Sequence, residues 1–146
     1  MLFQNADLDP QAIGLYLATS LSQGDPVGKA YLSQLPLNAI DVDDALRELC
    51  KRLKFPNESQ MIDKILDNLA AAYIKANPTS GCDVVSVYTI FYSLLMLNTD
   101  AHNNLIPVTN KMTKSQFVSL SKGTPGFEKS QLEKLYDKVI ANKISV

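Results

Sequence analysis

Residues 84–103 read VVSVYTIFYSLLMLNTDAHN, and this stretch decides the fold. Residues 84–97 carry no charge and are apolar on nearly every helical face. A helix that is apolar all round is buried all round. A membrane-spanning helix needs about 20 apolar residues, whereas this run is shorter and contains Ser86, Thr89 and Ser93. We therefore predict a central helix surrounded by other helices. The polar turn at residues 98–103 is a candidate surface site, because loops on rigid elements often carry function.

The whole chain has the size and composition of one helical domain. Its 146 residues favour a single domain over residues 1–146. Fourteen basic and fifteen acidic side chains, with no basic block, argue against nucleic-acid binding and against a membrane-binding patch. Two cysteines are too few for a disulfide framework and indicate a reduced, cytosolic protein. The other apolar segments have helical spacing and none alternates with strand period, so the fold class is all-α.

One candidate site residue is Glu58, which follows Pro56 and Asn57 in a tight corner between two predicted helices. Asn57 is the predicted N-cap of the second of these helices, with Gln60 three residues on, as in a capping box. From spacing alone, Glu58 is a carboxylate in a first helical turn that complements the helix dipole.

The second candidate is residues 98–103, which contain the only histidine, His102. A histidine beside Asp100 is compatible with a metal site or an acid–base pair. No second histidine and no cysteine lies nearby in sequence, so the zinc ligand count fails and we predict no metal. The simpler alternative is a helix C-cap, in which Asn98 and Thr99 cap and His102 bonds to the backbone. No glycine-rich phosphate loop or nucleophile elbow is present, and we predict no cofactor.

The two candidate stretches together resemble the signatures of one family. Residues 54–63, KFPNESQMID, resemble the Phe-Arg-Leu-Pro-Gly-Glu-Ala/Ser-Gln-Lys-Ile-Asp signature of the Sec-seven domain. Residues 96–103, MLNTDAHN, resemble the second signature of that family, Met-Leu-Asn-Thr-Asp-Leu-His-Asn. Their order and spacing fit, and the resemblance runs from about Leu2 to Ile140.

This resemblance implies an exchange catalyst for Arf-type small GTPases, folded as a right-handed superhelix of about seven helices. Glu58 matches the catalytic glutamate, which would take the place of the magnesium ion of the GTPase and repel the β-phosphate. A groove between the third, fourth and central helices would bind the GTPase. The matching GTPase contacts are Asp63, Tyr92, Ser93, Met96 and Asn103. Without the resemblance, Tyr92 and Met96 would be assigned to the core.

The resemblance also implies sensitivity to brefeldin A, a drug that would wedge between the two proteins before nucleotide leaves. Inhibited members of the family carry Tyr-Ser, an Asp and a Met at set places around the groove. The matching residues of this chain are Tyr92, Ser93, Asp100 and Met112.

The sequence departs from the family pattern at several positions. Asn57 replaces a glycine whose backbone freedom asparagine only partly shares, and Lys54, Asn104 and Lys122 also differ from the usual residues. The leading helices of the family are missing before Met1, which would expose Leu2 and Phe3. Two alternatives therefore stay open, a non-catalytic GTPase-binding module and a structural scaffold of a trafficking protein. The expected location is cytoplasmic, peripheral at Golgi or endosomal membranes, with indirect membrane association and no prediction of oligomeric state.

Overall fold

The computed structural model describes residues 9–145, and all regular structure in that range is helical. The all-α prediction is therefore confirmed, and seven α-helices with one short 3-10 turn at Val108–Asn110 make up this part of the chain. The expected exposure of Leu2 and Phe3 falls outside the described residues. The helices are α1 Pro10–Ser22, α2 Pro26–Ser33, α3 Val42–Cys50, α4 Ser59–Ala76, α5 Val84–His102, α6 Lys114–Ser121 and α7 Lys129–Ala141.

Local capping explains why several helices begin where they do. Asp9 and Asp25 each accept a hydrogen bond from a backbone N–H two residues on, and each is followed by proline at the first helical position. Thr113 and Gln116 form a complete capping box at the start of α6. These caps use only the N-cap residue and the first turn, so they do not depend on tertiary contacts.

Helix α5 is the central element, but it is not buried on every side. It packs against α3, α4, α6 and α7, and its inner face carries Phe91 and Leu94, both fully buried. Its outer face leaves Val85 73% and Met96 48% exposed, so the prediction of a helix enclosed all round is wrong. Helix α5 has more apolar residues than the neighbouring helices can cover.

Helix α5 is also longer than the apolar run that predicts it, because residues 98–102 continue the helix. Among residues 9–145 it is the one helix long and apolar enough to cross a membrane by length and composition. Core helices of soluble proteins meet the same criterion. In this fold α5 forms part of the hydrophobic core that all the α-helices share.

An ionic cluster joins α3 to α7. The ammonium of Lys138 lies 2.7 Å from Asp43, 3.2 Å from Asp41 and 3.3 Å from Asp44. Asp43 is fully buried and also pairs with Arg47. Because a buried carboxylate needs a partner, this cluster ties the start of α3 to the last helix.

Candidate functional site

The corner that carries Glu58 is held by α1. The backbone N–H of Lys54 donates to Pro10 O at 3.0 Å. Gly14 lies directly under this segment, where any Cβ would overlap the carbonyl oxygen of Lys54. Glycine at position 14 therefore lets α1 approach the chain that leads into the corner.

Glu58, and not Asn57, is the N-cap residue of α4. The predicted N-cap is therefore wrong by one residue and the predicted capping box is not formed, because the chain bends through residues 57 and 58 before the first helical turn. Ala39 is the only non-glycine residue with positive φ among residues 9–145, so Asn57 has ordinary backbone geometry in place of the family's glycine. The glutamate is accordingly presented without backbone strain.

The Glu58 side chain is exposed and has no partner in the described part of the chain. It makes no hydrogen bond to the first turn of α4 and takes part in none of the ion pairs formed by residues 9–145. Its main-chain carbonyl accepts hydrogen bonds from Met61 and Ile62, which fixes the backbone at the corner. Glu58 therefore presents an unpaired carboxylate from a hydrogen-bonded main chain.

An apolar groove begins one turn after Glu58. It has a volume of about 380 Å³. Ile62 lies in its wall, four residues after Glu58, which places the carboxylate at the same end of α4 as the groove. The walls come from α4, α5 and the loop after α5, and α3 contributes no lining residue. The residues that line this groove are Ile62, Tyr92, Leu95, Met96, Thr99, Asp100 and Ile106.

Tyr92 and Met96 therefore lie in the groove, with Met96 48% exposed and Tyr92 half-buried. Without the family resemblance, both residues would be assigned to the core. That assignment is wrong for Met96. Ser93 is half-buried and donates its hydroxyl to Thr89 O at 2.9 Å on its own helix. It is not among the groove-lining residues, so its side chain is oriented along α5.

Asp63 lies beside the groove on α4 and is bonded to α5. The hydroxyl of Tyr88 donates to its Oδ1 at 2.8 Å. This hydrogen bond is the larger cause, and burial the second, of a rise in the pKa of Tyr88 to about 12. The phenol is therefore a neutral donor at physiological pH. Sequence spacing does not reveal this pair, because the two residues are 25 positions apart.

Asn103 terminates α5 and organises the loop that follows. Its side-chain oxygen accepts from Leu105 N at 3.0 Å, and its carbonyl accepts from Lys111 Nζ at 2.9 Å. Lys111 also donates to Asp100 O at 2.7 Å. A cation at a helix C-terminus stabilises the dipole and the last free carbonyls. Lys111 is eight positions beyond Asn103, so the sequence carries no local signal for this contact.

Asp100 and Met112, two residues of the expected drug site, are in contact. The Asp100 carboxylate accepts from Met112 N at 2.7 Å. Asp100 lines the groove and also an adjoining depression of about 630 Å³ against α6, which Met112 lines as well. Three of the four residues, Tyr92, Asp100 and Met112, thus line two adjoining concavities, while the hydroxyl of Ser93 is engaged within α5.

His102 and Asn98 face away from the groove. The Nε2 of His102 lies 2.7 Å from Val139 O, so this nitrogen carries the proton and donates. Asn98 is 2% exposed and binds the main chain of Ile144. The C-cap alternative is confirmed for the bond from His102 to backbone. It is wrong that Asn98 and Thr99 cap the helix, because Asn103 is the C-cap residue of α5. The interpretation of residues 98–102 as a surface turn is wrong, because they form the last part of α5.

The described residues include one cluster with enough acidic groups to suggest a cation site, formed by Asp41, Asp43 and Asp44. The ammonium of Lys138 lies among these three carboxylates. The cluster is therefore a salt-bridge network. Cys50 and Cys82 are free and half-buried, and burial raises the pKa of the Cys50 thiol to about 12, so this thiol is not a reactive nucleophile.

Comparison with known proteins identifies the family. The model of the Sec7 domain family matches residues 1–144. The chain is 35% identical over 146 residues to brefeldin A-inhibited guanine nucleotide-exchange protein 4 of Arabidopsis thaliana. That alignment covers 98% of the chain but only 8% of the plant protein.

Two solved structures have the same fold. The crystal structure of the Sec7p catalytic domain superposes with a TM-score of 0.87 at 28% identity, covering 98% of this chain and 76% of that one. A structure of ARF1-GDP bound to a Sec7 domain complexed with brefeldin A gives a TM-score of 0.84 at 27% identity, with coverage of 98% and 73%. The two sequence signatures, the helical fold and these matches agree, and the chain belongs to the Sec7 domain family.

Proposed function

We propose that this chain is a guanine-nucleotide exchange domain for an Arf-family small GTPase. The observation that carries the proposal is the exposed, unpaired carboxylate of Glu58 at the end of α4 where the apolar groove begins. Membership of the Sec7 domain family supports it, as does the relative named as a nucleotide-exchange protein.

In the proposed mechanism, Glu58 enters the nucleotide site of the GTPase and opposes the negative β-phosphate. Two unit charges about 4 Å apart interact by about 4 kcal/mol at an effective dielectric constant of 20. The same carboxylate takes the space of the magnesium ion, which removes a further attachment of the phosphates. No covalent bond forms and the chain needs no cofactor of its own, because the energy comes from charge repulsion and from binding of the nucleotide-free GTPase.

The apolar groove would hold the mobile switch segments of the GTPase. Tyr92 and Met96 supply apolar surface, and the flexible thioether of Met96 can adapt to a partner that changes shape. Asp63 and Asn103 lie at the borders of the groove and offer polar contacts, whereas Ser93 would contribute through its position on α5. Met96 is 48% exposed within this apolar groove, so its thioether is available for contact with a partner.

The proposed location is the cytoplasmic surface of Golgi or endosomal membranes, where an Arf-family GTPase would be activated. It rests on the proposed activity and on the names of the curated relatives. Membrane association is proposed to be indirect. The chain spans only about 8% of the length of the first of those relatives.

The test is release of a fluorescent GDP analogue from a purified Arf-family GTPase. We expect the wild-type chain to accelerate GDP release. We expect Glu58→Lys to lower the accelerated rate by at least about 100-fold, because the charge reversal replaces a repulsion of about 4 kcal/mol with an attraction. Glu128→Lys is the matched control, since Glu128 is the exposed N-cap residue of α7. A non-catalytic binding module would bind the GTPase without accelerating release, and a scaffold would do neither.

A further inference from the structure

Tyr88 joins α4 to α5 beside the apolar groove. Its hydroxyl donates to one carboxylate oxygen of Asp63 at 2.8 Å. Its ring packs against Tyr92 with centroids 6.1 Å apart and planes tilted by 45°. Tyr92 lines the groove, and Asp63 directly follows another lining residue, Ile62. Tyr88 therefore lies between a wall of the groove and the carboxylate at its border.

The second oxygen of the Asp63 carboxylate has no partner among residues 9–145. The hydrogen bond from Tyr88 uses Oδ1, and Oδ2 accepts no hydrogen bond and forms no ion pair there. Asp63 is half-buried at the border of the groove. A hydrogen bond to a charged acceptor is among the stronger ones in proteins. It holds the carboxylate in one orientation while leaving half of its accepting capacity open.

We propose that Tyr88 is a positioning residue for GTPase recognition, which orients the Asp63 carboxylate so that its free oxygen accepts a hydrogen bond from a donor on the GTPase. The inference rests on the proposed function and adds to it a residue that acts through Asp63. Its physical basis is preorganisation. A side chain that is already oriented loses less rotational freedom on binding, and the complex is tighter by that amount.

The test is Tyr88→Phe, which removes the hydroxyl and keeps the ring that packs on Tyr92. Exchange rates measured against GTPase concentration give KM and kcat separately. We expect KM for the GTPase to rise about three- to tenfold, the effect of one side chain that must be ordered on binding, with kcat changed by less than about twofold. In an Asp63→Asn background, the same Tyr88→Phe change alters KM by less than about twofold, because the charged acceptor that it orients has gone.

The matched control is Tyr73→Phe. Tyr73 is also on α4, and its hydroxyl donates to Ile40 O at 2.7 Å. This substitution removes one tyrosine hydrogen bond of similar length away from the groove, and we expect KM to stay at the wild-type value. Thermal unfolding of all variants reports the loss of a fold contact, which both tyrosine variants share. A change in KM is expected only for Tyr88→Phe.

Two results would overturn the inference while the proposed function stands. One is an active Tyr88→Phe variant with unchanged KM, and the other is an equal rise of KM with Asp63 and with Asn at position 63. If the wild-type chain binds the GTPase without releasing nucleotide, the exchange function fails and the same four variants are compared by dissociation constant. If the wild-type chain does not bind an Arf-family GTPase at all, both proposals are refuted.

Discussion

The carboxamide of Asn98 holds both main-chain groups of Ile144. Its nitrogen donates to Ile144 O at 3.0 Å, and its oxygen accepts from Ile144 N at 2.8 Å. Asn98 is 2% exposed and Ile144 is fully buried. One side chain near the end of α5 thereby satisfies the backbone of the segment after α7. His102 adds a hydrogen bond to Val139 O, and Arg47 of α3 donates to the carbonyls of Asn142 and Lys143.

Asn98→Ala is predicted to destabilise the fold. It leaves a buried N–H and a buried C=O of Ile144 without partners, which costs about 2–5 kcal/mol in the free energy of unfolding. Chemical denaturation measures this loss. Asn68→Ala is the control, because Asn68 makes one hydrogen bond within α4, to Lys64 O. An equal loss in the two variants would contradict the role assigned to Asn98.

Lys138→Ala is predicted to destabilise the junction between α3 and α7. Burial opposes the charge of Lys138, but hydrogen bonds to Asp43, Asp41 and Asp44 outweigh it and raise the pKa above its ordinary value. Because the folded pKa is raised, this stabilisation is fully present below about pH 10 and is lost as the pH rises through the folded pKa.

We expect Lys138→Ala to lower the free energy of unfolding by about 2–4 kcal/mol at neutral pH. This is less than the full cost of an unpaired buried charge, because Arg47 still pairs with Asp43. Equilibrium unfolding in urea provides the measurement. Lys134→Ala serves as the comparison, since Lys134 is an exposed lysine on the same helix. If the loss for Lys138→Ala is no larger than that for Lys134→Ala, the network does not stabilise the fold.

Gly14→Ala is predicted to impair both stability and exchange. The added Cβ overlaps the carbonyl oxygen of Lys54, so α1 and the chain leading to Glu58 must move apart. Overpacking of this kind costs about 1–3 kcal/mol. The displaced corner lowers the exchange rate even at a temperature where the variant is folded. Ser22→Ala, on the exposed side of α1, leaves both measurements unchanged. Normal exchange by a folded Gly14→Ala variant would show that the corner tolerates the shift.

Brefeldin A is predicted to inhibit exchange by this chain. Tyr92 and Asp100 line the groove, and Asp100 and Met112 line the adjoining depression. Several curated relatives are named as brefeldin A-inhibited exchange proteins. The measurement is GDP release with increasing drug, with each variant compared with its own drug-free rate.

Asp100→Ala is the informative variant for this prediction. It releases the backbone of Met112, which Asp100 holds at 2.7 Å, so the drug should inhibit this variant less strongly than the wild type. Unchanged wild-type rates in saturating drug would refute the prediction of sensitivity.

The sequence by itself determined the helical class, the family and several of the helix starts. Asp9, Asp25 and Thr113 cap helices through partners within three residues, so their effect can be derived from a short window. The two signatures likewise brought Glu58 and the end of α5 into one functional hypothesis. Seven helices and a Sec7-type fold agree with that reading.

Only the tertiary structure decided which side chains face the core and which face the groove. Asn98 and Ile144 are 46 positions apart, His102 and Val139 are 37 apart, and Asp63 and Tyr88 are 25 apart. The packing of whole helices sets each of these pairings, and no periodic pattern encodes them. For the same reason α5 has an open strip at Met96 although its sequence is apolar on nearly every face. Burial depends on how many neighbours the fold supplies, and a single helix carries no information on that number.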